Sequence, residues 1–165
     1  MFRFLTAAAL LALLGTTAQA ENRAIYRMFD GQNHFMTADC RERNEMRRSG
    51  FNLEGALGYI SDRQVGGTTP LYRLYNGSDY FYTTSSSERR SAMRNGGYDD
   101  EGIAGYVATN GGGGTVPLYR GYKQKSDDHI YSTDQREVDS LPRAGYTVEG
   151  VAGYLFTGGT TCRGG

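Results

Sequence analysis

The sequence predicts a mainly β domain of three repeats, each with several strands and one short helix. The repeats are expected to close with pseudo-threefold symmetry like a β-trefoil, with a compact three-bladed, propeller-like ring as the alternative. Three observations carry this expectation. The phrase Glu-Gly-x-x-Gly-Tyr is written three times, as LEGALGY at 53–59, DEGIAGY at 100–106 and VEGVAGY at 148–154. A Tyr-Arg pair precedes each phrase, at Tyr26-Arg27, Tyr72-Arg73 and Tyr119-Arg120. The composition, 24 Gly and 13 Tyr without Trp, suits short strands and many turns better than long helices. A phrase recurring at a fixed period is a unit of architecture before it is a catalytic motif.

In chain order, residues 1–20 read as a secretory signal. Arg3 gives a positive start, an apolar run covers 4–14, and Ala18-Gln19-Ala20 is a small-x-small cleavage site. The expected location is therefore secreted or periplasmic, with residues 21–165 forming one domain of three repeats at about 24–69, 70–116 and 117–161. No later segment is apolar enough to insert in a membrane. Each repeat opens with an aromatic, β-prone strand such as Leu71-Tyr72-Arg73-Leu74-Tyr75, then a turn and a second strand such as Tyr80 to Thr84. Asn76-Gly77 is a hairpin turn signal.

A helix follows in each repeat. Asp39/Glu42, Ser85/Glu88 and Asp134/Glu137 have capping-box spacing, in which the Glu reaches back to the cap. Gly50, Gly96-Gly97 and Gly145 stop the helices after about two turns, and Pro142 should shorten the third. Met46, Met93 and Leu141 are expected to point inward. The repeated phrase then forms a last strand. Gly/Thr linkers lead into Pro70 and Pro117, and the third linker ends in Cys162 instead. In a ring that linker would arrive beside the first repeat, which carries Cys40. A Cys40–Cys162 disulfide sealing the ring is expected, as an exported chain permits.

The stretches PLYRLYN, FYTTSSSER and YDDEGIAGYV resemble the bacterial and fungal DUF5648 repeat family, across residues 24–157. Asp30 after Phe29, Gly121 in place of Leu, and Tyr or Phe where Trp is common depart from its pattern. The resemblance implies an exported accessory or binding role and brings no catalytic residues with it.

Arg27, Arg73 and Arg120 stand mid-strand in apolar surroundings and need partners. Glu54, Glu101 and Glu149 are the expected ones, as structural ion pairs. His34 and His129 occupy equivalent places, with Tyr80 between them, preceded by Asn33, Asp128 and Asp79. With Tyr26, Tyr72 and Tyr119 they are the candidate ligand residues, because amphipathic rings beside polar side chains suit stacking on sugars. Catalytic residues, metal ligands and cofactors are not expected. With 18 basic and 18 acidic side chains, the chain does not call for nucleic acid. The expected function is a monomeric, non-catalytic module binding carbohydrate or cell-envelope glycan at repeated sites. A protein-binding or inhibitory module acting on a secreted partner, and a hydrolase with an unrecognised site, are the alternatives.

Overall fold

The computed structural model describes residues 19–163, so the expected leader lies outside the described residues except for its last two positions. The order strand, strand, helix, long strand recurs three times. Unit one has β1 (Asn22–Phe29), β2 (His34–Thr37), α1 (Cys40–Arg48) and β3 (Asn52–Ser61). Unit two has β4 (Thr68–Tyr75), β5 (Tyr80–Thr83), α2 (Ser86–Asn95) and β6 (Asp99–Ala108). Unit three has β7 (Thr115–Lys123), β8 (Asp128–Ser132), α3 (Gln135–Ser140) and β9 (Thr147–Phe156). A tight 3-10 turn over Leu141–Ala144 follows α3, and Pro142 in its first positions accounts for the short helix.

In each unit the first strand lies between the other two, all antiparallel. The repeated phrase places two β-bulges in every long strand. Partners step from Tyr72↔Ile103 to Leu71↔Gly105, leaving Ala104 unpaired, and from Leu74↔Asp100 to Arg73↔Gly102, leaving Glu101 unpaired. Leu57 and Glu54 stand out of β3 in the same way, as do Ala152 and Glu149 in β9. After each bulged Glu the backbone turns through positive φ, at Gly55 (137°), Gly102 (94°) and Gly150 (113°). Only glycine takes that conformation without strain, so the first Gly of the phrase follows from the bulge.

The second Gly serves close packing. A Cβ on Gly58 would stand 2.9 Å from the Cβ of Leu155, and one on Gly153 would stand 3.1 Å from Val107 Cγ2. A Cβ on Gly105 would collide with Ile60. The three long strands meet beside these glycines through single residue pairs, Ser61↔Tyr106, Ala108↔Tyr154 and Tyr59↔Phe156.

The molecule is thus mainly β, as expected, but its strands form an open, branched sheet and not the closed barrel of a trefoil. The reason is local. The long strands touch at one residue pair and then part, and a helix stands in each unit where a trefoil would supply another strand.

The central core takes three side chains from equivalent positions of each unit: Ile25, Met36 and Ile60; Leu71, Tyr82 and Val107; Leu118, Tyr131 and Leu155. The buried tyrosines satisfy their hydroxyls on backbone. Tyr82 donates to the carbonyl of Met36 at 2.6 Å and accepts from its N–H at 2.8 Å. Tyr131 does the same to Tyr82 at 2.9 and 2.7 Å. The helices contribute less. Leu141 is buried as expected, whereas Met46 is half-buried and Met93 is exposed, because α2 keeps every residue at least partly in solvent.

The C-terminal segment returns to unit one. Thr160 exchanges backbone hydrogen bonds with Asn22 and Ala24, all at 2.8 Å. Cys162 is bonded to Cys40 across 122 residues of chain, as the third linker suggested.

Candidate functional site

The unit boundaries share one polar plan. Each strand arginine forks between the bulged Glu of its own unit and a helix Glu of the preceding unit. Arg73 meets Glu42 at 2.9 Å through both terminal nitrogens. Its Nε lies 2.7 Å from Glu101, an ion pair in which the N–H is not aligned as a hydrogen bond. Arg120 meets Glu88 at 2.8 Å and Glu149 at 2.6 Å. Arg27 meets Glu54 at 2.6 Å and, in unit three, Glu137 at 2.8 Å. The sheet is open, yet these contacts run from unit three back to unit one. Burial works against the charge of each arginine, but the paired carboxylates outweigh it and hold the guanidinium firmly ionised.

The helix glutamates were expected to reach back to their own caps. They do not. Thr37 donates to Glu42 at 2.5 Å, and Thr83 and Ser132 donate to Glu88 and Glu137 over short contacts. The same hydroxyls accept the cap N–H of Asp39, Ser85 and Asp134 at 3.0–3.1 Å. With the cap N–H already satisfied by Thr or Ser, each Glu side chain is free to bind the arginine of the next unit.

The His and Asp candidates lie below the surface. Asp79 and Asp128 are 0% and 1% exposed, His34 and His129 6% and 7%. Asp79 accepts from the Tyr98 hydroxyl and from His129 Nδ1, both at 2.5 Å, and from the His129 backbone N–H at 2.8 Å. Asp128 accepts from Tyr146 at 2.5 Å, from His34 Nδ1 at 2.9 Å and from the His34 N–H at 2.8 Å. The far nitrogens face Glu149 at 3.5 Å and Glu54 at 3.8 Å. Burial works against protonation of His129, but Asp79 and Glu149 outweigh it and raise its pKa. Burial works against ionisation of Asp128, but His34 outweighs it and keeps that carboxyl low. These residues join units two to three and three to one, with little of their surface in solvent.

The boundary between units one and two is different. Asn33, Tyr80 and Phe51 occupy the places of Asp, His and Tyr. Tyr80 stacks on Tyr75 with centroids 4.3 Å apart and meets the edge of Phe35 at 4.8 Å; Phe35 also meets Phe51. Burial, then Tyr75, pushes the Tyr80 phenol up to about 12. Of the remaining candidates, Tyr26 is buried under the Arg43 guanidinium, Tyr72 carries Arg89 over its ring, and Tyr119 is half-buried.

The same boundary holds a cleft of ≈ 430 Å³. It is lined by Arg73 with Glu42 and Glu101, by the apolar side chains of Ile103 and Ala104 and the ring of Tyr106, and by Arg23, Asp39 and Asp62. Ile103 is 48% exposed. Glu42 and Glu101 are both tied to Arg73, so neither is presented as a free acid or base. Among the described residues, no group of three His, Cys, Asp or Glu side chains could hold a metal ion. The sequence does not mark this cleft, since Ile103 and Ala104 look like ordinary strand residues and Arg23 and Asp62 belong to no repeated phrase.

Among the described residues no helix is long and apolar enough to cross a membrane. A family model described as "Domain of unknown function (DUF5648)" matches residues 23–156. No curated protein and no solved structure matches the chain.

Proposed function

The chain belongs to the DUF5648 family, and from that premise we propose that it is an exported, non-catalytic module binding carbohydrate or cell-envelope glycan in the cleft between units one and two. The observation that carries this reading is that apolar and charged side chains line one concavity together. Ile103, Ala104 and Tyr106 offer a surface for the apolar face of a pyranose or an acetamido methyl. Asp39, Asp62 and Glu101 offer acceptors for hydroxyls and amide N–H groups, and Arg23 a donor. Four carboxylates against two arginines leave the cleft net negative, which favours neutral or amine-bearing sugars over acidic ones. Export rests on the leader at 1–20 and agrees with the disulfide.

Titration calorimetry with tri-N-acetylchitotriose, and retention on isolated peptidoglycan, test the reading. Binding should weaken in Ile103→Asp, and an acidic oligosaccharide of equal length should bind less well. If wild-type protein is retained by neither material, the glycan reading fails.

A protein partner is the second reading, favoured by the large apolar side chains Leu53, Ile103, Val148 and Val151, which stay exposed on the long strands. Stoichiometric capture of one secreted protein, lost in Val148→Asp/Val151→Asp, would favour it over a glycan.

A further inference from the structure

The three unit boundaries share a plan but not an open cleft. Between units two and three, Thr84 Oγ1 donates across the groove to the carbonyl of bulge residue Ala152 at 3.0 Å. Thr84 lines both halves of what remains, two separate pockets of ≈ 180 and ≈ 220 Å³. Between units three and one, Thr133 donates to the carbonyl of Leu57 at 2.8 Å. Leu57 also places a large side chain where the other units have Ala104 and Ala152, and it packs against the core. Between units one and two the corresponding residue is Ala38. It has no hydroxyl to cross the groove, and the space is one cleft of ≈ 430 Å³ lined by both Ala38 and Ala104. Pockets that enclose small ligands run from about 300 to 1,000 Å³. The undivided cleft falls within that range and the divided halves fall below it.

We propose that the residue between the strand hydroxyl and the helix cap, Ala38, Thr84 or Thr133, decides which boundary takes a ligand, so that the chain binds one saccharide and not three. Resting on the glycan reading, the inference adds a contact: a ligand hydroxyl or amide N–H stands where the threonine hydroxyl would, donating to the carbonyl of Ala104. The lining supports the same choice. Arg23, Ser61 and Asp62 line the open cleft, where the divided one has Thr69, Ala108 and Thr109.

Calorimetry with tri-N-acetylchitotriose on wild type, Ala38→Thr and Thr84→Ala tests this. Wild type should bind one equivalent. Ala38→Thr should lose roughly tenfold in affinity or more, the equivalent of one hydrogen bond and the lost space. Thr84→Ala should gain a second, weaker equivalent. Two or three equivalents in wild type, or an unchanged Ala38→Thr, would overturn the proposal. If wild type binds no saccharide, the glycan reading falls and crystal soaks with glycerol and acetamide decide the rest. Density in the Ala38 cleft of wild type, joined by the second cleft in Thr84→Ala, supports selection by this residue. Density in neither, or in all three boundaries of wild type, refutes it.

Discussion

Arg27 is the most enclosed of the three strand arginines, its side chain 10% exposed against 17% for Arg73 and 12% for Arg120. It also donates to the carbonyl of Tyr131 at 2.7 Å, the position where Met36 has no hydroxyl to offer in place of a tyrosine. Removing one partner of such a cluster leaves charges of one sign facing each other with little water. Arg27→Met should therefore cost about 3 kcal/mol in urea unfolding. Adding Glu54→Gln and Glu137→Gln to that variant should recover part of the loss. Equal stability of the single variant and wild type would remove the arginine from any structural role.

His129 gives a pH signature. It stacks on Tyr122 and touches Phe81, and the charges facing it are Asp79 and Glu149. Its folded pKa lies above the unfolded value of about 6.5. Its stabilisation is therefore complete below that value and is lost as pH rises through the folded pKa. The stability gap between wild type and His129→Gln should be widest near pH 6 and narrow toward pH 9. Asp128, Glu88, Glu137 and Glu149 are held low, and so act oppositely: their contribution stands above about pH 4.5 and drains away as acid protonates them. A gap that widened with alkali would contradict the assignment of His129 as a cation between two carboxylates.

At the scale of elements, the long strand explains the repeated phrase. Glu-Gly places a carboxylate on the strand's own arginine by bulging, and the second Gly lets a neighbouring long strand approach. Gly102 has open space for a Cβ but a φ of 94°, so Gly102→Ala tests backbone strain alone. A loss of more than about 1 kcal/mol is expected, with the strand order intact by hydrogen exchange.

The strands, short helices and linkers were legible in the sequence because turn glycines, capping spacing and the Tyr-Arg pairs recur in register. The Arg–Glu partners were legible too, but only half of them. Glu42, Glu88 and Glu137 have the spacing of cap residues, and that spacing looks the same whether the Glu turns back or reaches forward. The glycines of the repeated phrase allow a close backbone approach or a bulge, but two bulges per strand, and their positions, were not legible, since one extra residue does not interrupt a β-prone run. The open cleft at Ala38 became visible only once strands from two units were side by side. Its signal, Ala where the other units have Thr, lies in the repeat itself.

For the whole molecule, the open sheet raises the question of what holds unit three to unit one. Backbone pairing between them is one residue pair, Tyr59↔Phe156. The rest is side chain and tail: Arg27 with Glu137, His34 with Asp128, Thr133 with Leu57, Thr160 on Asn22 and Ala24, and the Cys40–Cys162 bond. A cross-link over 122 residues removes much of the unfolded chain's freedom, on the order of 4–5 kcal/mol in the loop-entropy picture. Cys40→Ser/Cys162→Ser should lower the stability by about that amount while keeping the fold under mild conditions, since the buried Asp–His and Arg–Glu contacts remain. Local effects should differ from the global one. Hydrogen exchange in the double variant should rise first at Thr160 and at the Ala24 N–H it receives, and later across β2 and β8. If exchange rose uniformly in all three units, the bond would be acting only on the unfolded chain, and the tail would not be part of the joint between unit three and unit one.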